Sequence, residues 1–459
     1  MAQLRTRAAW CAAAAFLSLG LPGITRAQEG TEAEPEAEAG STRPRFRFGL
    51  EGKANYRDSE ANRFQAPFDF DPSAAVVRAF EETVNAGQHL EVSALTLLLD
   101  ADWGDGLTAH GKIDFIDLYD RNPTSTDKKV DVDEAWVRFG IEPEPATLAP
   151  RSGVYLKIGK LPKFERQDDR HLESYGLVST AFNRFEDSGA ELGLSLGRHL
   201  YAKLSATQGN PVFLRDPNAL AGDNGTPDRA TLGANPDLKS GIVLLYDAEV
   251  EDLDLDGDLE YGGGLGWRWA DEAGRNGVDV LVWSYQRTLA DRVKLEGTFY
   301  GGDLDLLNGP EGHPDQVVTL PIHGDKKEEV GANVWLYWGG LSFFGQYVDQ
   351  EMAGLPRTGL EGELSWRFDL PLWIAVGERQ LFPWIAPAVR WSELDNDFRN
   401  ARDTPAPSLA WDWKKVDAGV RLGIFDGIDV TMEYADNQFI TARGRRDNNE
   451  LLATLRWRS

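Results

Sequence analysis

The sequence predicts an all-β protein, a transmembrane antiparallel β-barrel of 16–18 strands with short periplasmic turns and long external loops. Three observations carry this. Apolar and polar residues alternate with period two in segment after segment, while long helical periodicity is hard to find. The connections between segments largely alternate between short and long. Beyond the N-terminus no apolar run approaches the roughly 18 residues of a membrane helix, whereas a barrel strand crosses with only about 9–11 tilted residues.

The N-terminus reads as a targeting segment. Arg5 and Arg7 precede an almost wholly apolar stretch from Ala8 to Leu21, and Thr25-Arg26-Ala27 offers a cleavage site. Residues 1–27 are therefore expected to be a signal peptide, with Gln28 as the mature start. Cys11, the single cysteine, would leave with it, so the mature chain has neither thiol nor disulfide. Because Cys11 lies inside the apolar stretch and not at the cleavage site, a lipid anchor is not expected. Residues 28–43 (QEGTEAEPEAEAGSTR) are acidic and lack apolar periodicity, as a disordered leader would. Residues 44–459 are then the barrel.

Composition narrows the partners. The chain holds 74 acidic and 48 basic residues, a net charge of −26. Removing the three bases of the signal, Arg5, Arg7 and Arg26, takes the net to −29. Nucleic acid is excluded as a partner, since phosphate contacts need clustered Lys and Arg. Length agrees with closure. A soluble core stops growing near about 250–300 residues, whereas a barrel is a single sheet that adds strands.

We count 18 alternating segments, beginning near residues 46, 89, 107, 130, 152, 188, 199, 239, 258, 277, 291, 328, 341, 358, 380, 411, 427 and 449. Val416, Ala418, Val420, Leu422 and Ile424 alternate with Asp417, Arg421 and Gly423. Leu200, Ala202, Leu204 and Ala206 alternate in the same way with Tyr201, Lys203, Ser205 and Thr207. Gly104-Asp105-Gly106, Gly197-Arg198, Gly339-Gly340 and Phe425-Asp426-Gly427 supply tight hairpin turns. Long polar stretches lie between them, at 57–88, 162–187, 209–238, 303–327, 393–410 and 437–448.

Chemistry assigns the faces. A Lys or Arg in lipid costs roughly 2–4 kcal/mol at the midplane, so the Leu/Val/Ala/Phe face meets lipid and the charged, Ser/Thr and Gly face meets water. Trp103, Trp267, Trp269, Trp366, Trp411, Trp413 and Trp457 fall near strand ends, where aromatic girdles sit. Gly189, Gly193, Gly262 and Gly264 fall on the polar face, as expected of curved strands that leave lumen space.

One stretch carries a family resemblance. YLKIGKLPKFERQDDRHLESYGLVSTAFNRFEDSGAELG, Tyr155 to Gly193, has a strand ending in Gly159-Lys160, then Pro162, Phe164 and Glu165. After a loop, Asp187, Gly189 and Gly193 open the next strand. With VDVDEAWVRFG (130–140) before it, this resembles the phosphate-selective porin family (O and P type) of Gram-negative outer membranes. The resemblance is closest over roughly 130–210 and architectural elsewhere. It implies a 16-stranded homotrimeric diffusion channel for small hydrophilic or ionic solutes, with phosphate or other anions as the permeant class. It also implies a loop, 162–187, folded into the lumen as a constriction. Outer-membrane lipid and lipopolysaccharide would surround it. Lys160, Lys163, Arg166, Arg170 and Arg184 are the candidate selectivity residues of that loop, since charged rings at constrictions set ion preference. Glu165, Asp168, Asp169, Glu173, Glu186 and Asp187 stand among them, so the ring is mixed. The family's terminal aromatic is absent at Ser459, and Trp457 stands two places before it.

No motif points to catalysis, a metal or a cofactor. Gly193-Leu194-Ser195-Leu196-Gly197 matches G-x-S-x-G but lies within alternating strand sequence, without the helix a nucleophile elbow needs. Asp252 to Gly257 resembles the front of a calcium loop, but Gly263 stands where its bidentate Glu belongs. The six histidines, at 89, 110, 171, 199, 313 and 323, have no metal spacing, and His171 alone falls in the constriction loop. Two other readings are an outer-membrane barrel adhesin or enzyme, and a soluble periplasmic all-β binding protein. Fractionation separates the latter from a barrel.

Overall fold

The computed structural model describes residues 44–459 except 71–76, 83–85, 105, 117–129, 143–152, 168–169, 183–185, 210–211, 216–242, 248–257, 290–292, 298–324, 372–373, 398–409 and 442–443. The expected signal peptide and leader lie outside the described residues, as does the Asp252–Gly257 stretch.

Sixteen antiparallel strands close into a barrel. They are β1 (Arg45–Ser59), β2 (Gly87–Asp102), β3 (Leu107–Ile116), β4 (Asp131–Gly140), β5 (Gly153–Pro162) and β6 (Glu186–Leu196). Next come β7 (Leu200–Thr207), β8 (Glu260–Ala270), β9 (Asn276–Thr288), β10 (Lys326–Trp338) and β11 (Leu341–Met352). β12 (Leu355–Trp366), β13 (Trp384–Asn396), β14 (Asp412–Phe425), β15 (Ile428–Thr441) and β16 (Glu450–Arg458) complete the round. Each pairs with its chain neighbour, and β1 pairs with both β2 and β16, from Glu51↔Arg458 to Ser59↔Glu450. Two further pieces, Phe368–Asp369 and Gly444–Asp447, only extend ladders of β13 and β15.

The count of 18 is corrected to 16. The segments near 239 and 291 are strands, Val243–Asp247 and Val293–Gly297, but they pair with each other and with Val212–Arg215 in a separate three-stranded sheet. Alternation marks a strand without saying which sheet it joins. Positive-φ glycines close the short connections as expected, for example Gly339 (φ 59°) and Gly427 (φ 77°). One connection at the long-loop end is also tight, Ala353-Gly354 between β11 and β12.

Burial assigns the faces as the alternation predicts. Along β14, Lys415 and Asp417 are fully buried, pointing inward, whereas Val416 and Val420 are about 40% exposed on the outside (39% and 41%). Outward Leu200, Leu265, Val282, Leu364 and Leu455 are likewise exposed. Such a continuous apolar exterior belongs in hydrocarbon and not in water. Trp103, Trp267, Trp366 and Trp338 are exposed on it.

Two expectations about aromatic and glycine residues are corrected. Trp411 and Trp413 are not in a girdle; they are buried inside, with ring centroids 5.1 and 4.7 Å from Phe439. The inward glycines do not mainly leave open lumen. A Cβ on Gly193 would meet the Tyr155 ring at 1.9 Å, and one on Gly262 the Tyr285 ring at 2.3 Å. Gly193 and Gly262 are seats for inward aromatic rings, whereas at Gly189 a Cβ would meet the Ala206 carbonyl of β7 at 2.3 Å.

Because β14 presents Val420 to lipid, Val420→Lys is expected to destabilise the folded barrel by about 2–4 kcal/mol in reversible unfolding from vesicles, and Val420→Leu by far less. Equal effects would contradict the assignment of faces.

Candidate pore constriction

The segment leaving β5 turns into the barrel interior before returning to β6. Its apolar side chains explain why. Phe164, Leu177, Val178, Ala181 and Phe182 are buried among inward rings and aliphatics of the wall, including Tyr285, Trp283, Phe344, Val348 and Leu394, and Leu172 is buried as well. Phe164 stacks on Tyr285 with centroids 5.3 Å apart. A five-residue helix, α1 (Leu177–Ala181), forms the inner turn.

A loop inside a barrel still has main-chain polar groups to satisfy. Wall side chains do this. The backbone N–H of His171 donates to Glu363 (2.8 Å), and those of Glu173 and Ser174 donate to Glu433 (2.8 and 2.7 Å). The N–H of Val178 donates to Glu361 (3.2 Å). On the acceptor side, the carbonyl of Ser174 takes Arg390 (2.8 Å), that of Tyr175 takes Lys415 (2.8 Å), and that of Ala181 takes Arg357 (3.1 Å). The carbonyl of Glu165 takes Asn333 (2.7 Å). β10, β12, β13, β14 and β15 thus grip the loop by its backbone, with carboxylates on N–H groups and cations on carbonyls. The gripping charges also pair with each other: Arg390 lies 2.8 Å from Asp417 and 3.4 Å from Glu363.

The five basic residues singled out in the sequence are dispersed. Lys163 is buried against β8 and β9, paired with Glu260 and 4.3 Å above the Tyr285 ring, while Lys327 of β10 holds the other Glu260 oxygen at 2.6 Å. Arg166 pairs with Glu186 and with Glu134 (2.8 Å). Arg170 lies 3.6 Å over the Tyr175 ring and donates to the Ser174 carbonyl (3.3 Å). Lys160 shares the outward parity of exposed Val154, Leu156 and Ile158, and its ammonium caps the Val132 carbonyl at 2.6 Å. Arg184 lies outside the described residues.

The fold adds wall residues that sequence reasoning missed, among them Lys53, Lys112 and Arg456, and gives partners to loop carboxylates it had named. Glu173, deep in the loop, reaches Lys53 of β1 (3.1 Å) and Arg456 of β16 (3.5 Å), so the loop spans the interior to the closing seam. Asp133, Glu134 and Glu186 bring carboxylate oxygens within 4.8 Å of one another; Arg166 sits on two of them and Lys112 on the third. Inward parity was the available signal for Lys53 and Lys112. Their partners depend on contacts remote in sequence. Ser195 of the G-x-S-x-G match is buried, receives Arg268 (3.1 Å), and is followed by the β6–β7 hairpin.

Loop cover is uneven. Inward side chains beneath the loop are sealed, with Glu363 1% and Arg390 0% exposed. Among the inward residues of β2 and β3, Asp100 is 50% exposed and Lys112 31%, and Lys53 of β1, beside Glu173 of the loop, is 24% exposed. Water therefore has access at Asp100 and Lys112, while Thr96 of β2 and Glu134 of β4 are buried.

No family model and no curated protein matches the chain. Among solved structures it is similar to the outer membrane channel DcaP of Acinetobacter baumannii (9% identity, TM-score 0.48, 92% of this chain and 99% of that one). It is also similar to OprB of Pseudomonas putida (9%, 0.46, 90% and 94%) and OmpF of Salmonella typhi (9%, 0.45, 91% and 98%).

Arg390→Met removes the donor shared by Ser174, Glu363 and Asp417, and stripping a partner from buried charges typically costs about 3–5 kcal/mol. Amide exchange at 171–178 should accelerate more than that of β14 and β15. Unchanged protection at 171–178 would show that the grip does not hold the loop.

Proposed function

We propose that this chain is a porin of a Gram-negative outer membrane, a passive diffusion channel for small hydrophilic or ionic solutes. The observation that carries this reading is the combination of an apolar exterior, a charged interior, and a docked loop beside which inward Asp100 and Lys112 keep access to solvent. Selection then comes from width and from the charges beside the remaining water path. The segment 162–187 narrows the lumen. Arg166 and Arg170, with Lys53 and Lys112 of the facing wall, supply its basic rim. Solutes of the phosphate or other anion class follow from the family resemblance around 130–210. The paired carboxylates make the rim a mixed field and not a purely cationic one. Outer-membrane lipid and lipopolysaccharide would contact the apolar exterior, and the homotrimer is the assembly the resemblance implies. Transport of this kind needs no cofactor and breaks no bond.

Purified protein in planar bilayers should give stable ion-conducting channels. In a salt gradient, Arg166→Glu combined with Arg170→Glu should move the reversal potential toward cation preference. A folded protein that does not conduct would overturn the channel reading, and an unmoved potential would remove these arginines from the rim.

A further inference from the structure

Two ionic contacts tie the constriction loop to the wall on either side of β2 and β3. At the first, Arg166 lies 2.8 Å from Glu134 of β4. At the second, Glu173 lies 3.1 Å from Lys53 of β1 and 3.5 Å from Arg456 of β16. The wall end of this second contact is itself fixed. Arg456 is 3.2 Å from Asp429, which Arg421 of β14 holds at 2.9 Å, and Lys53 lies 3.7 Å from Glu51 on its own strand.

These separations are too short to admit water. A water molecule bonded to both a cation and a carboxylate holds them about 5.5 Å apart, twice a hydrogen bond of roughly 2.8 Å. The side chains of Glu173 and Arg456 are accordingly 8% and 5% exposed. Between the two contacts stand β2 and β3, where inward Asp100 and Lys112 keep access to solvent.

We propose that Glu173 is a size-determining strut: joined to Lys53 and Arg456, it shuts the corner of the lumen at the β1–β16 seam and leaves solutes the narrower path beside β2 and β3. This rests on the reading of the chain as a channel.

The strut is separable from the grip on the loop. The backbone N–H groups of Glu173 and Ser174 are held by Glu433 of β15, and the Ser174 carbonyl by Arg390 of β13. Cutting back the Glu173 side chain therefore opens the corner while the loop stays docked. The strut also cancels charge where it stands. Without the carboxylate, Lys53 and Arg456 lose a shared counter-charge, and the corner turns toward anions.

Single-channel conductance and the exclusion of neutral polyethylene glycols, measured on the full chain in planar bilayers, test this. Glu173→Ala should raise conductance about twofold and admit larger glycols, as expected when a pore gains the width of a side chain. Lys53→Ala, at the other end of the shorter bridge, should act in the same direction, and by less in a Glu173→Ala background than in the parent. Glu173→Gln keeps the bulk without the charge. It should hold the parent's size limit and raise the anion-to-cation permeability ratio in a potassium chloride gradient. Amide exchange at 171–178 should match the parent in Glu173→Ala. Heat-modifiable migration in SDS identifies the variants that fold. An unchanged size limit in folded Glu173→Ala, or in Lys53→Ala where the former does not fold, overturns the inference. So does a wider limit accompanied by faster exchange at 171–178, because the loop itself has then been released. Parent channels whose size limit ignores both substitutions leave the porin reading standing; absence of channels in the parent overturns both.

Discussion

Main-chain hydrogen bonding is the constraint from which the structure follows. Hydrocarbon offers no partner to a backbone N–H or C=O, so a sheet that crosses a membrane has to leave no edge. The β1–β16 ladder provides that closure, from Glu51↔Arg458 to Ser59↔Glu450 and on to the mutual bonds of Leu50 and Ser459. Once the sheet is closed, the pleat sorts side chains into two solvents. Val416 and Val420 go to lipid while Lys415, Asp417 and Arg421 go inward.

The same obligation governs the interior. The segment between β5 and β6 enters a space largely cut off from water, where its peptide groups need partners. Glu361, Glu363 and Glu433 accept its N–H groups; Arg357, Arg390 and Lys415 donate to its carbonyls. Gripping the backbone leaves the loop's own side chains available for other tasks. Phe164, Leu177 and Phe182 pack into an apolar half-core, while Arg166, Arg170 and Glu173 carry charge toward the open wall. The lumen is thus neither a uniformly wet tube nor a dry core. It is packed along β10–β15 and open to solvent at Asp100 and Lys112 of β2 and β3.

The barrel was legible in the sequence because closure and lipid contact impose a local, repeated pattern. Alternation in 416–424 and 200–207, with glycine turns such as Gly339 and Gly427, needs no knowledge of distant contacts. Errors arose where one pattern serves two settings. Val243–Asp247 and Val293–Gly297 alternate like barrel strands yet join a separate sheet. Trp411 and Trp413 lie near a strand end like girdle residues yet stack inside on Phe439. Inward glycines such as Gly193 serve as seats for aromatic rings, since the ring that fills each one comes from another strand.

Alone, the sequence determined the strand class, the two faces of most strands, and a mixed-charge loop between β5 and β6, because each depends on neighbours only two residues apart. Tertiary structure decided which charges meet. It took Lys163 to Glu260, 97 positions away. It also left inward Asp100 and Lys112 partly exposed to solvent, which their place in the alternation does not reveal. Those outcomes depend on where the loop crosses the barrel, a path set by partners on five separate strands that no local spacing encodes.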